Sequence, residues 1–372
     1  MPGVYSVMDI SKGALQVATR QLDVVSHNVA NANTPDYSRQ EAVLTTRNPE
    51  WTGEGMYGRG VKIASVIQHA DRFLQARITS KMSEEGYYST LLDQLKRLEA
   101  LANETGDTSL GKQITAFFNA WQDVSNNPQS TAVREVLLET ASNLAARLNT
   151  LYGDYYDIQR DMNGYLASAV EEVNLICRRI AELSVRILAN ERANKPANDL
   201  RDERQRQLNK LANYLNIQWF EGDDGQVTVL AGNGKMLVEA GYPDNNDPDP
   251  LGFKAVDGYD WNQVVWSQAD LVMDYNEITS GKMGAWLRLR DQRIPEVLNF
   301  LNTLSYSLIK EVNILHSQGR GSTSSLRSLA HTRPPAPLPP WAVILLCPSM
   351  TLSPTARLRY GSMRPAPEGV TR

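Results

Sequence analysis

Three glycines, Gly53, Gly55 and Gly58, keep the G-x-G-x-x-G spacing of a dinucleotide cradle. That chemistry needs a strand before the glycines and a helix after them, so that backbone N–H groups meet a pyrophosphate. Here "WTGEGMYGRG" runs into "VKIASVIQ", whose alternation is that of a strand, and no acid follows about 20 positions on in a βαβ frame. The glycines read as a loop. The four histidines, His27, His69, His316 and His331, make no metal-ligand spacing with one another or with Cys177 and Cys347. No P-loop or G-x-S-x-G is present. The acid pairs Glu84-Glu85 and Asp223-Asp224 lie in polar text, and "RDERQR" (201–206) reads as a solvated helical face. Nothing here asks for a metal, a cofactor or catalysis.

The elements that must position these residues carry more information. Residues 7–32 are one amphipathic helix: Leu15, Ala18, Leu22, Val25, Val29 and Ala32 step by three and four, the spacing of a coiled-coil seam. Asn28 borders that stripe. Asn33 is placed to end the helix in a left-handed cap, and Pro35 bars its continuation. Residues 40–70 read as two extended segments around the glycine-rich loop. Helical spacing returns over 71–103 and again from Ile114 to Val124.

Ser130 is the expected N-cap of the longest element, whose seam runs from Leu137 to Ile187 with consecutive fours at Tyr165, Ala169 and Val173. If continuous it is a rod of roughly 75 Å. A shorter helix covers 195–215 with Asn198 as its cap. From "IQWF" to "KMLVEA" the period falls to two, with turns at 222–225 and 232–234, which predicts a small antiparallel meander. "PDNNDPDP" (243–250) is a loop, and strand-like text continues to about Tyr275. Helix resumes over 295–316, with Pro295 in its first turn. The fold class is therefore α+β, mainly α: a long coiled-coil-like helical bundle with a small antiparallel β insertion.

Composition agrees with a packed, water-facing chain: 42% apolar, 22% charged, net charge −4 over 372 residues. Neither nucleic acid nor an anionic membrane is implied by that charge. Cys177, next to Ile176 on a helical face, is expected to pack as a small apolar residue. The start, "MPGVYSVMDISKG", lacks the basic head and apolar core of a cleaved signal peptide, and "AVILLC" (342–347) is too short to span a bilayer. Residues 321–372 differ from the rest. They hold six Arg, no Lys, one acid and nine of the 18 prolines, so they carry +5 and leave −9 for the remainder. They show no lasting period and are expected to be disordered.

"ALQVATRQLDVVSHNVANANTPDYSRQEAVL" (14–44) resembles the N-terminal signature of the flagellar axial proteins: rod, hook and hook-associated. The shared positions are Ser26, Asn28, Ala30, Asn31, Asn33, Thr34, Tyr37, Arg39 and Gln40. Asp36 stands where the family has glycine, and Asp tolerates the left-handed region better than most residues. Within the family the chain looks most like the hook-associated proteins of the hook–filament junction. "GRGVKIASVIQHADRFLQARI" (58–78, His69 in place of arginine), "NDLRDERQRQLNKLANYLNIQ" (198–218) and residues 280–319 are similar to further family blocks, in order. The resemblance stops near Gly319. The family continues into more domain structure and a C-terminal helix that pairs with the N-terminal one, so a frameshift or a truncated gene is expected behind the tail.

The resemblance implies a non-enzymatic structural part of the bacterial flagellum. It would leave the cell through the flagellar type III export apparatus, with a chaperone and without a cleaved signal peptide. Partners would be copies of itself in a ring, the hook protein and the next hook–filament junction protein, with no nucleic acid and no membrane insertion. Residues 1–40 would form the assembly helix, 41–200 with 283–319 a helical rod domain, 201–282 a helix plus β-rich insertion, and 320–372 a non-family tail. The implied assembly interface is Leu15, Ala18, Leu22, Val25, Asn28, Val29, Asn31, Asn33 and Tyr37. Asn28 would specify register between neighbours as buried asparagines do in coiled coils, or, with Asn31, simply cap the helix. An isolated helix with one wet apolar face is marginal, so residues 1–40 are expected to fray in the free molecule. Two alternatives stay open: another rod or hook protein, and an enzyme using the 53–58 loop.

Overall fold

The structure is a computed structural model that describes residues 4–52, 55–101, 109–193, 196–239, 249–267 and 269–318. The expected disordered tail, the site of the suspected frameshift, Gly53, His331, Cys347 and most of the 243–250 loop lie outside the described residues.

The chain opens with helix α1 (Val4–Ala30), followed by strands β1 (Gln40–Thr46), β2 (Glu50–Thr52), β3 (Gly55–Tyr57) and β4 (Val61–Gln68). β1 and β4 pair antiparallel, with a bulge between Val43 and Leu44. β2 and β3 form a small second hairpin in which Trp51 faces Met56. The glycine-rich text read as a loop is thus largely paired strand; Gly55 opens β3 at φ 138°, and β4 follows where a dinucleotide cradle has a helix.

Four helices come next: α2 (Arg72–Leu101), α3 (Leu110–Asn126), α4 (Thr131–Arg192) and α5 (Asn198–Tyr214). α4 is 62 residues long. At 1.5 Å per residue that is about 93 Å. Ser130 caps it as expected, its Oγ accepting from the Val133 N–H at 3.5 Å. The α4 seam follows the expected positions from Leu144 to Ile187 with one correction: Tyr165 is 40% exposed and Leu166 is fully buried in its place. The Tyr165 hydroxyl is engaged by Arg97, and leucine has no polar group to satisfy. The consecutive fours therefore fall at Ile158, Met162 and Leu166.

Then come β5 (Ile217–Glu221), β6 (Val227–Ala231) and β7 (Met236–Val238), paired in that order as the expected meander. β8 (Leu251–Lys254), β9 (Gln263–Trp266) and β10 (Leu271–Val272) form a second antiparallel sheet with β9 in the middle. The chain returns through α6 (Gly281–Arg288), a π-helical turn (Leu289–Arg293) and α7 (Ile294–Gln318). The final helical stretch thus begins fourteen residues before Pro295, at Gly281. Pro295 cannot donate to a carbonyl four residues back, and the wide turn just before it, where Ile294 N–H reaches Leu289 O, absorbs the mismatch.

Two compact units result. The first takes residues to 102 and 154–296. Its core joins Leu166, Val173, Cys177 and Ile180 of α4 with Leu208 and Leu211 of α5, both three-stranded sheets and Met283 of α6. Cys177 packs as an apolar residue, and burial pushes its thiol up to about 12. α2 crosses α5 at Gly86, where a Cβ would stand 2.4 Å from Asn213 O. Arg290, fully buried on the π turn, donates to Asp291, Asn163, Gln263 and the carbonyl of Asn262. The second unit takes 103–153 and the residues from 297 on, and buries Phe117, Leu144, Leu148, Leu151, Leu298 and Leu301.

Candidate functional site

α1 carries two stripes with different fates. Ile10, Gly13, Val17, Val24, Asn28 and Asn31 face the chain itself, and α1 packs against β1 and β4 along that side. Gly13 lets the guanidinium of Arg47 approach closely, to 3.2 Å from where a Cβ would stand, and Arg47 reaches Asp9 at 3.5 Å. Arg59 bridges Asp9 and Glu50, tying the β2–β3 hairpin to the same helix. The second stripe is the expected one. Leu15 is 69% exposed and Val29 71%, with Ala18, Leu22 and Val25 between them also exposed. Val4, Tyr5, Val7 and Met8 extend this bare surface toward the start of the helix.

The asparagines divide differently from the expectation. Asn28 is engaged within its own chain. Its Nδ2 donates to Gln40 O at 2.8 Å, and its Oδ1 accepts from Tyr37 Oη at 2.8 Å and from Gln40 N–H at 2.9 Å. A single amide thereby staples the end of α1 to the start of β1. Asn31 does what the capping reading says: Nδ2 donates to His27 O and Oδ1 accepts from Thr34 Oγ1. Asn33 is exposed and is not the left-handed residue; that conformation falls on Asp36, at φ 60°. Aspartate tolerates that region better than most residues, so Asp36 can hold the turn. Tyr37 stacks edge-on against His27, and burial, then Asp199 and Asp202, hold its phenol above the usual range.

The turn lies on α5. Asn209 Nδ2 donates to Asp36 Oδ1 at 2.8 Å, Ser38 N–H to Asp202 Oδ2 at 3.1 Å, and Gln40 Nε2 to Asp199 Oδ1 at 2.7 Å. Arg206 reaches Pro35 O at 3.5 Å, and Asn198 Nδ2 donates to Val66 O at 3.0 Å. Asn198 is therefore the first helical residue, with Ala197 before it, and is not the side-chain cap that its type suggested. Burial pushes the Asp202 carboxyl above its usual range, while the N–H of Ser38 pulls the other way.

"RDERQR" is likewise no solvated face. Asp202, Arg204 and Gln205 are buried, and Glu221, 5% exposed, accepts from Arg201 and Arg204 and pairs with Arg72. Sequence reasoning missed this dock. Its signal was present: Asn198, Asp202, Arg206 and Asn209 fall on one face of α5, offset from the core stripe of Leu208, Leu211 and Leu215.

Among the described residues, no group of three His, Cys, Asp or Glu could hold a metal, and no helix is long and apolar enough to cross a membrane. What this site offers is a surface: an apolar helical stripe held at one end by a polar staple.

Residues 95–326 match the flagellar hook-associated protein FlgK helical domain, and residues 8–37 match the flagella basal body rod protein family. Similar curated proteins include the flagellar hook-associated protein 1 of Salmonella typhimurium, 23% identical over 323 residues, 84% of this chain and 57% of that protein. The one of Escherichia coli K12 is 22% identical over the same shares. The one of Bacillus subtilis is 27% identical over 247 residues, 64% of this chain and 48% of that protein. The chain thus spans about half the length of the curated relatives it matches. Among solved structures, the flagellar hook junction protein FlgK from Burkholderia pseudomallei shares the fold with a TM-score of 0.55 at 22% identity, over 65% of this chain and 43% of that one.

Proposed function

Since the chain belongs to the family of flagellar hook-associated proteins defined by the FlgK helical domain, we propose that it is a structural component of the hook–filament junction that assembles at the distal end of the hook. The proteins it resembles are named for the hook and its junction. On this reading the chain works outside the cell in the flagellum, reaches it through the flagellar export route with a chaperone, and forms a ring with its own copies. The hook protein lies on one side and the next junction protein on the other. Its work is contact, not catalysis.

The observation that carries this reading is the bare stripe of α1. Leu15, Leu22, Val25 and Val29 stand exposed on a helix whose other stripe already packs on β1 and β4. Each would gain about 1.5–3 kcal/mol on full burial, enough for several copies to hold one another once ordering costs are met. The stripe, with Ala18, is the assembly interface. Asn28, Asn31 and Tyr37 serve it from behind by fixing where α1 ends, and Asn33 lies exposed beside them.

The test is co-sedimentation of the full chain with isolated hooks. The wild-type chain should pellet with the hooks. The double substitution Leu15→Glu with Leu22→Glu should leave it in the supernatant while its circular dichroism stays that of the wild type. Equal pelleting of both proteins would remove the stripe from the mechanism. The rod-protein alternative loses weight because the match over 95–326 is to a hook-associated helical domain.

A further inference from the structure

We infer that α1 and the β1–β4 hairpins form one rigid limb that unlatches from α5 and swings as a body. Three observations meet here, and none depends on the flagellar reading. First, the limb is internally well tied. α1 packs on β1 and β4, Asn28 bonds both backbone groups of Gln40, and Arg59 links α1 to the second hairpin.

Second, limb and α5 are joined by a row of hydrogen bonds made by polar side chains of α5. Asp36 meets Asn209, Ser38 meets Asp202, Gln40 meets Asp199, Pro35 meets Arg206 and Val66 meets Asn198. Water can replace every one of these bonds, and limb and α5 otherwise share few contacts. Interfaces of this kind permit relative motion by default. One of the two carboxylate oxygens of Asp202 is buried there without a partner, so the closed state leaves a polar group unmet that opening would hydrate.

Third, the two sides do not close on each other. A cavity of about 530 Å³ lies between Val66 and Gln68 of β4 and Arg201, Leu208 and Trp219 on the α5 side. This cleft opens to solvent, so along it the two sides are not packed together. The geometry is that of a strap resting on a helix through its side chains.

The experiment is a pair of spin-label distance measurements on the full chain carrying Cys347→Ser, the buried Cys177 being left in place. Lys62→Cys with Lys210→Cys spans limb and α5; Ser26→Cys with Lys62→Cys lies inside the limb. All three positions are exposed. Substituting Asp36→Gly and Gln40→Ala removes three latch bonds from the limb side, two of them made by Gln40, and leaves α5 intact. Glycine keeps the positive φ at position 36.

The expected result is a spanning-distance distribution at least twofold broader in the substituted protein, with the distribution inside the limb unchanged. Gln40→Ala alone should broaden it by less, and serves as the readout should the double variant fold poorly. A spanning distance that stays as narrow as the wild type would overturn the latch. Equal broadening inside the limb would overturn its rigidity.

Discussion

Asp202 shows how one residue ties the chemistry of the turn to the solution around it. Its carboxyl is buried against Ser38, faces Asp199 and Arg206, and sits above its ordinary value because burial outweighs the bond from Ser38 N–H. A carboxyl whose folded value is raised favours the docked state when protonated. Its contribution is fully present below the ordinary 3.8 and is lost as pH rises through the raised value. Docking of the turn should therefore tighten on acidification. Asp202→Asn, which keeps an oxygen for Ser38 N–H, should flatten that dependence, read from the amide exchange of Ser38 between pH 3 and 7. A pH dependence that survives the substitution would assign it to another group. At this scale the sequence was only half legible. The side chains of Asn28 and Asn31 stood out by type and spacing, but an amide can staple its own chain or meet a neighbour, and its type alone does not say which. Asp202 was hidden because a charge run reads the same whether its helix faces water or a docked turn.

Among the elements, α1 has the weakest local support at its beginning. Only Gly13 and Val17 are buried along it, and the bonds that hold its end come from Asn28 and Asn31. Val4, Tyr5, Val7 and Met8 are exposed apolar groups ahead of the first buried residue. Their amides should exchange at least about 10-fold faster than those from Val24 to Ala30 in the free protein, because local opening there breaks fewer buried contacts. Uniform protection along α1 would show that the helix stands on its own. The fraying expected for residues 1–40 is thereby confined, as a proposal, to the first turns. Helices with an unbroken apolar period, α4 above all, were legible residue by residue. The β2–β3 hairpin was not, since three-residue strands bounded by glycine leave no period to count. α6 was missed because proline is a helix starter far more often than it follows a π turn.

For the whole molecule, the apolar surface left uncovered in the single chain sets the thermodynamics of what it joins. If assembly covers the α1 stripe, binding of the chain to hook ends should show a negative heat-capacity change, measured by titration calorimetry at several temperatures. Leu15→Glu with Leu22→Glu should bring that change close to zero. An unaltered value would mean that another surface is covered. The mainly helical architecture with its antiparallel insertion could be seen in the sequence because periodicity reports which face is dry. Which dry face meets the same chain and which meets another could not, since both have the same composition. The bulge between Val43 and Leu44 has a consequence beyond its own hairpin. A bulge admits a single alignment of its two strands, for a slip by one position would turn every side chain of β1 over. The seat of α1 on its own hairpin is therefore the same in each copy of the chain, however that limb stands toward the rest.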